Sequence, residues 1–224
     1  KQAYEEWRVL EENVWFYPAR DLLFYHADIK GAFLTGKRME VLRAIVEKKG
    51  REAITVVTTM DAFLDGLPSK EELCGNRIKI HAEEALDFQK LQENLSILGY
   101  ERENQVESPG QFAVRGGILD VFPLTEENPV RIELWGDEVD SIRSFDVESQ
   151  RSTENLQEIE IYPATENWKQ METESFLAYF PVKETILFLD EPVRLQESAE
   201  IVEKEYFHSL ESREEAGMET EEIP

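Results

Sequence analysis

Gly110 to Arg151 read GQFAVRGGILDVFPLTEENPVRIELWGDEVDSIRSFDVESQR, and this segment is the most informative about the fold. It contains three short runs of β-branched and aromatic residues, Phe112–Arg115, Ile118–Phe122 and Val130–Trp135. Gly116-Gly117 separates the first two runs, and a segment that begins and ends with proline separates the last two. Such runs, bounded by Gly and Pro, are typical of antiparallel strands joined by turns. We therefore predict an antiparallel meander.

Alternation along these runs predicts which side chains share a face of the sheet. The predicted core face carries Phe112, Val114, Val130, Ile132 and Leu134, and the opposite, wet face carries Ala113, Arg115, Arg131, Glu133 and Trp135. Trp and Arg are enriched at interface hot spots, so the second set favours a protein-binding face. The alternative is an ordinary solvated sheet face with one exposed aromatic residue.

Several segments resemble one family, and they follow its order along the chain. They are VWFYPARDLLFYHAD (14–28), KRMEVLRAI (37–45), VVTTMDAFLDGLP (56–68), FAVRGGILDVFPL (112–124), PVRIELWGDEVDSIRSFD (129–146) and FPVKETILFLDEPVRLQESAEIVEKEY (180–206). Together they resemble the UvrB-like N-terminal module of the bacterial transcription-repair coupling factors, the Mfd family. The likeness covers nearly the whole chain.

The resemblance implies a fold in three segments. Residues 1–76 and 164–224 would form a degenerate RecA-like α/β domain, incomplete at its N-terminus, as expected of a fragment of a longer protein. Residues 77–163 would interrupt it as an α+β domain with an antiparallel sheet, which would be the docking domain for the repair protein UvrA.

The resemblance also implies site residues and partners. The UvrA contacts would be Arg115, Arg131, Glu133 and Trp135, the last where the family usually has Phe. Arg131 would bind a partner carboxylate, and Arg131→Glu would abolish docking without unfolding the domain. The module would have no catalysis of its own, because ATP and Mg belong to the family's motor. The C-terminal part of the full-length protein would be an intramolecular partner, and RNA polymerase and DNA would bind other regions.

Composition limits the partners that the chain itself can bind. The 224 residues carry a formal net charge of −24, which repels phosphate and acidic membranes. Cys74 is the only cysteine in the sequence, so no intrachain disulfide can form, which fits a reducing, cytoplasmic location. No signal peptide or membrane-length apolar run is visible.

Hydrophobic periodicity predicts further elements along the chain. Helices are expected over Tyr4–Leu10, Lys37–Lys48, 61–64, Ala82–Leu98, Met171–Tyr179 and Val193–Leu210, with Gly99 ending the fourth. Strands are expected over Val14–Tyr17, Ile54–Thr58, Ser141–Asp146, Glu158–Ile161 and Thr185–Leu189. Of these, Ser141–Asp146 and Glu158–Ile161 would continue the meander, and the second unit of the chain would begin at Arg77. Ile54–Thr58 and Thr185–Leu189 are apolar without alternation, which is typical of strands buried on both faces.

Two patterns leave open a nucleotide hydrolase as an alternative function. Residues 31–38 read GAFLTGKR, one residue away from the phosphate-binding loop G-x-x-x-x-G-K-[ST]. Arg38 replaces the magnesium-binding hydroxyl residue and no hydrophobic strand precedes the loop, so a turn before the helix is the favoured interpretation. Leu189-Asp190-Glu191 could be a metal-binding corner, but it is better explained as a strand end followed by a helix start. The three histidines show no metal-ligand spacing.

A direct DNA-binding module is the other alternative. Lys37, Arg38 and Arg43 lie on the helix predicted from residue 37, with Tyr25 and Phe33 upstream. The surrounding charge is strongly negative, so a solvated helix face is the favoured interpretation.

Overall fold

Six helices and twelve strands form over residues 2–20, 27–48, 53–167 and 172–215, which are the residues described by a computed structural model. The helices are α1 (Gln2–Leu10), α2 (Ala27–Val46), α3 (Met60–Leu64), α4 (Lys70–Gly75), α5 (Phe88–Ile97) and α6 (Pro192–Glu215). The strands are β1 (Val14–Tyr17), β2 (Thr55–Thr58), β3 (Gly66–Pro68), β4 (Ile78–His81), β5 (Glu101–Arg102), β6 (Gln111–Arg115), β7 (Ile118–Val121), β8 (Val130–Trp135), β9 (Glu138–Phe145), β10 (Ser152–Leu156), β11 (Glu158–Ile161) and β12 (Thr173–Ser175).

The chain divides into two compact units. The first contains residues 1–22, 45–73 and 167–224, and the second contains residues 23–44 and 74–166. The first unit is therefore discontinuous in sequence. Residues 23–44 belong to the second unit, although the predicted boundaries had placed them with residues 1–76. The assignment of 1–76, 77–163 and 164–224 to three domain segments stays a prediction.

The predicted meander forms the centre of the second unit. Its sheet has the order β10-β9-β8-β7-β6-β5, antiparallel except for the short parallel pair β5 and β6. One face is the core. It packs against α5 through Leu91 and Leu95 and against the antiparallel pair β4 and β11 through Ile80 and Ile159. The α+β architecture is confirmed, but β11 pairs with β4 and does not continue the meander.

The helix predicted over Ala82–Leu98 begins six residues later than expected. The Asp87 side chain caps α5 by accepting a hydrogen bond from the Lys90 amide, and this cap fixes the start of the helix. Ala85 instead forms an isolated antiparallel bridge with Glu138. At the other end Gly99 adopts a φ of +86°, so the predicted glycine stop is confirmed.

Helix α2 is held within the second unit by two ion pairs and one close approach. Nε of the fully buried Arg38 lies 2.7 Å from Glu166, and Arg43 lies 2.6 Å from Glu126. A Cβ added to Gly36 would lie 3.1 Å from the Leu124 carbonyl oxygen, so glycine lets the two backbones approach.

The first unit contains short sheets around an aromatic cluster. Strands β1 and β2 are parallel, and β3 pairs with β12. Phe176 stacks on Tyr17 with ring centroids 4.6 Å apart. A parallel pair flanked by helices is compatible with the predicted α/β class, and the RecA-like assignment stays a prediction.

Two predictions in the first unit were wrong. The segment predicted as a helix over Met171–Tyr179 forms β12 and a 3-10 turn (Phe176–Tyr179) over its described residues, because β3 offers it a strand to pair with. Thr185–Leu189 forms no strand, and Phe188 is 75% exposed. An apolar run becomes a buried strand only where neighbouring strands accept its backbone, and none of the described strands pairs with it.

Candidate protein-interaction face

The candidate site is the face of the meander opposite the core, which we call the outer face. Its side chains come from alternate positions of four strands: Ala113 and Arg115 on β6, Ile118 and Asp120 on β7, Arg131, Glu133 and Trp135 on β8, and Ser141 and Arg143 on β9. The predicted residues Arg115, Arg131, Glu133 and Trp135 are thus brought together on one surface. The predicted alternation of β8 is confirmed, because Val130 and Ile132 are buried in the core.

Asp120 lies on β7, between the outer-face residues of β6 and β8. Strand register places it directly opposite Arg131 on one side and Ala113 on the other. Its Oδ1 accepts a hydrogen bond from Arg131 Nε at 2.6 Å, and its Oδ2 accepts bonds from Arg131 Nη2 at 2.9 Å and Arg115 Nη2 at 2.7 Å. Asp120 is only 1% exposed, so these two arginines neutralise a buried carboxylate.

Arg131 is held on three sides. Besides Asp120, its Nη2 donates to Gln150 Oε1 at 3.3 Å, and its guanidinium lies 4.5 Å from the centroid of the Phe145 ring. The hydrogen bond to Asp120 raises the pKa of Arg131, which favours the charged form of the guanidinium. The side chain is only 17% exposed. The expectation that Arg131 sits on a wet face is therefore wrong. The prediction that Arg131→Glu leaves the fold intact loses the reason on which it rested.

Part of the outer face is also apolar and covered. Ala113, expected to face solvent, is 1% exposed and packs in a small cluster with Val106 and Phe122. Val147 packs against the same cluster. The segments before β6 and after β9 therefore cover this end of the outer face, which we call the covered end.

Glu133 is paired within the sheet as well. Its carboxylate lies 2.5 Å from Arg143 Nη2, and the Ser141 hydroxyl donates to it at 3.4 Å. Each member of the ion pair is about one third exposed. Arg143, which sequence reasoning did not single out, already supplies Glu133 with a cation inside the sheet.

The opposite end of the outer face is open, and we call it the hairpin end. Strands β6 and β8 both finish here in two-residue turns, and Gly116 and Gly136 adopt φ of +62° and +64°. Arg115 precedes the first turn and its side chain is 51% exposed. Trp135 precedes the second turn and is 85% exposed. A large aromatic residue so exposed on a sheet is the kind of anchor that protein interfaces bury.

Known proteins resemble this chain over the segment that contains the outer face. Residues 78–167 match the family model described as the UvrB interaction domain. The chain is 38% identical over 156 residues to the transcription-repair-coupling factor of Bacillus subtilis (strain 168), covering 70% of this chain and 13% of that protein. It is 34% identical over 155 residues to the transcription-repair-coupling factor of Staphylococcus aureus (strain bovine RF122 / ET3-1), covering 69% of this chain and 13% of the relative.

The chain belongs to the transcription-repair-coupling factor family. It spans about 13% of the length of these two relatives. Every residue of the outer face lies inside the segment that matches the UvrB interaction domain. The resemblance found from sequence is thereby confirmed.

The alternative sites expected in a nucleotide hydrolase do not form within the described residues. Residues 31–38 lie inside α2, so they form neither a phosphate-binding loop nor the turn expected before the helix. Glu191 precedes α6, which confirms the helix start, but no strand ends at Leu189. In the described part of this family member, no group of three or more His, Cys, Asp or Glu side chains could hold a metal ion.

The basic residues of α2 do not all lie on the solvated face that the sequence favoured, because Arg38 is buried whereas Lys37 is 46% exposed. Arg38 is fully buried on Glu166, Arg43 pairs with Glu126, and Lys37 lies 2.7 Å from Glu40. Of the two upstream aromatic residues, Phe33 is exposed and Tyr25 lies outside the described residues. With their charges neutralised by carboxylates, these cations are poorly placed to bind DNA phosphates. No described helix is long and apolar enough to span a bilayer.

Proposed function

We propose that this chain is a docking module through which a transcription-repair-coupling factor recruits UvrA. The observation that carries the proposal is the hairpin end of the outer face. There Trp135, 85% exposed, and the half-exposed Arg115 lie on a packed sheet inside the segment that matches the UvrB interaction domain.

The four proposed contact residues have different roles in this proposal. Trp135 is the anchor that loses water on docking, and Arg115 offers a partner carboxylate the guanidinium nitrogens that Asp120 does not occupy. Asp120 binds Arg131, and Arg143 binds Glu133. Arg131 and Glu133 therefore present only the edges of their side chains to the partner, and their main role is to fix the shape of the surface.

We further propose that the module acts without its own catalysis, in a longer protein that recognises stalled RNA polymerase. Regions outside this chain would bind RNA polymerase and DNA, and would use ATP and Mg in a motor. The docking face would also contact the C-terminal part of that protein intramolecularly. The net charge of −24 supports the assignment of DNA binding to regions outside this chain, because less acidic regions bind DNA phosphates better.

The test is binding of the 224-residue chain to purified UvrA by calorimetry, alongside Trp135→Ala and Arg115→Glu. Arg194→Glu is the matched control for charge reversal, because Arg194 is 76% exposed and lies in the first unit. We expect micromolar or tighter binding that both outer-face variants weaken and the control preserves. A folded wild-type chain that does not bind UvrA would overturn the proposal.

A further inference from the structure

Beside Trp135 lies an open hollow with a volume of about 470 Å³. It is lined by Glu83, Ala85, Trp135, Asp137 and Glu138. One lining residue therefore carries an indole, and three of the others carry carboxylates. The hollow adjoins the hairpin end and is continuous with the surface proposed to dock.

The backbone fixes the positions of these carboxylates. Ala85 bridges Glu138, and the Glu83 amide donates to the Val139 carbonyl oxygen at 2.8 Å. Glu83 adopts a φ of +64°, which turns the chain alongside β9. The Leu86 amide donates to the carbonyl oxygen of Asp137 at 2.7 Å. The segment before α5 is thus tied to the turn that follows Trp135, so the hollow belongs to the folded sheet.

Within the described part of the chain, the three carboxylates of the hollow lack cationic partners. The side chains of Glu83, Asp137 and Glu138 make no ion pair or side-chain hydrogen bond with any described residue. Glu133 on the same sheet is paired with Arg143, and Asp120 with two arginines. The hollow is therefore a place where negative charge is left uncompensated next to an exposed aromatic face.

The residues that line the hollow indicate which chemical group would bind in it. The carboxylates, all within the described residues, do not form a group able to hold a metal ion, which argues against a small cation. An arginine or lysine side chain brings an extended apolar stem and a cationic head. The stem can lie on an indole, and the head can contact both the ring face and separated carboxylates.

We propose that this hollow binds an arginine or lysine side chain of the docking partner, with the cation against Trp135 and between Glu83, Asp137 and Glu138. The inference rests on the proposed UvrA docking and assigns it three further residues. It also gives the hairpin end two complementary contacts, since Arg115 would bind an anionic group of the partner and the hollow would bind a cationic one.

The experiment is UvrA affinity of the variant Glu83→Gln/Asp137→Asn/Glu138→Gln, measured at low and high salt. The matched control is Glu172→Gln/Glu174→Gln/Glu184→Gln, which removes the same charge from exposed positions in the first unit. We expect the hollow variant to bind about tenfold more weakly at low salt and to lose part of the salt dependence. The control should bind like the wild type.

Three outcomes separate the two proposals. If both triple variants bind like the wild type while Trp135→Ala binds weakly, the hollow proposal is wrong and UvrA docking stands. If both triple variants weaken binding equally, the effect is one of net charge and the hollow proposal is again overturned. If the folded wild-type chain does not bind UvrA, both proposals fall.

Discussion

The two ends of the outer face use the same kinds of residue in opposite ways. At the covered end, the Asp120 carboxylate is 1% exposed and is satisfied by Arg131 and Arg115. At the hairpin end, Trp135 is 85% exposed and the neighbouring carboxylates are unpaired in the described residues. Charged residues on a sheet face therefore need not be binding residues. Charged side chains that pair with one another shape the surface. Charged side chains that have no partner among the described residues are available to bind another protein.

The largest expected effect is a loss of stability on substitution of Arg131 at the covered end. Arg131→Glu would place a second carboxylate against buried Asp120 and remove the cation that lies over Phe145. Breaking a buried ion pair from one side costs about 3–5 kcal/mol, so we expect a loss of that size in the free energy of unfolding. Urea denaturation measures it. An unchanged unfolding midpoint would show that the pair contributes nothing to the fold.

A double variant separates charge from packing at this position. Asp120→Leu/Arg131→Met removes both charges and keeps apolar volume, so it should lose less stability than Arg131→Glu. If the double variant is less stable than the single variant, the cost lies in packing and not in the unpaired carboxylate.

The next change should be in binding, at the hairpin end. Trp135→Ala should weaken UvrA binding about thirtyfold, equivalent to about 2 kcal/mol, because the indole is the anchor that loses water on docking. The free energy of unfolding should change by less than about 0.5 kcal/mol, since the side chain is exposed. Trp135→Phe is the control and should keep most of the affinity. A stability loss in Trp135→Ala comparable with that of Arg131→Glu would contradict the assignment.

Arg115 links the two ends and should show a weaker binding effect. We expect Arg115→Ala to weaken UvrA binding about tenfold, because its half-exposed guanidinium contributes mainly at the rim of the interface. Arg131 continues to neutralise Asp120, so the fold should persist. The association rate should fall more than the dissociation rate rises, which surface plasmon resonance can resolve. If Arg115→Ala associates with UvrA at the wild-type rate, Arg115 does not belong to the interface.

Glu133 should show the least effect of the four. Glu133→Gln should change UvrA affinity by less than about threefold, because the carboxylate is already bound by Arg143 in a partly exposed pair of small net energy. Arg143→Ala removes the ion-pair partner of Glu133 but keeps its carboxylate, and its UvrA affinity is compared with that of Glu133→Gln. A large loss of affinity in Glu133→Gln would place this carboxylate in direct contact with a partner cation.

Alternation and turn chemistry were sufficient to predict the outer face but not its pairing. The two-residue turn at Gly116-Gly117 fixes the opposition of Asp120 and Ala113. The connection from Phe122 to Pro129 is too long to fix the register between β7 and β8, so the pairing of Asp120 with Arg131 could not be predicted. The available signal was a carboxylate flanked by the core residues Leu119 and Val121.

Predictions failed elsewhere for a related reason. Periodicity describes the faces of an element and not its neighbours. The described residues of the segment Met171–Tyr179 form a strand and a turn, because β3 is available for pairing. Thr185–Leu189 stays largely exposed, and no described strand pairs with it. Lys37–Lys48 was correctly predicted as helical, but the burial of Arg38 depended on Glu166, which is 128 residues away in sequence. Such contacts become visible only when the fold is known.

The hairpin end is expected to bind UvrA, and the covered end to support the fold. The decisive experiment is UvrA affinity per folded molecule for Trp135→Ala and Arg131→Met, with the folded fraction taken from denaturation of the same preparations. We expect Trp135→Ala to lose far more affinity than Arg131→Met, and Arg131→Met to lose far more stability than Trp135→Ala. Affinity lost through Arg131→Met, with Trp135→Ala at wild-type affinity, would contradict this division of roles.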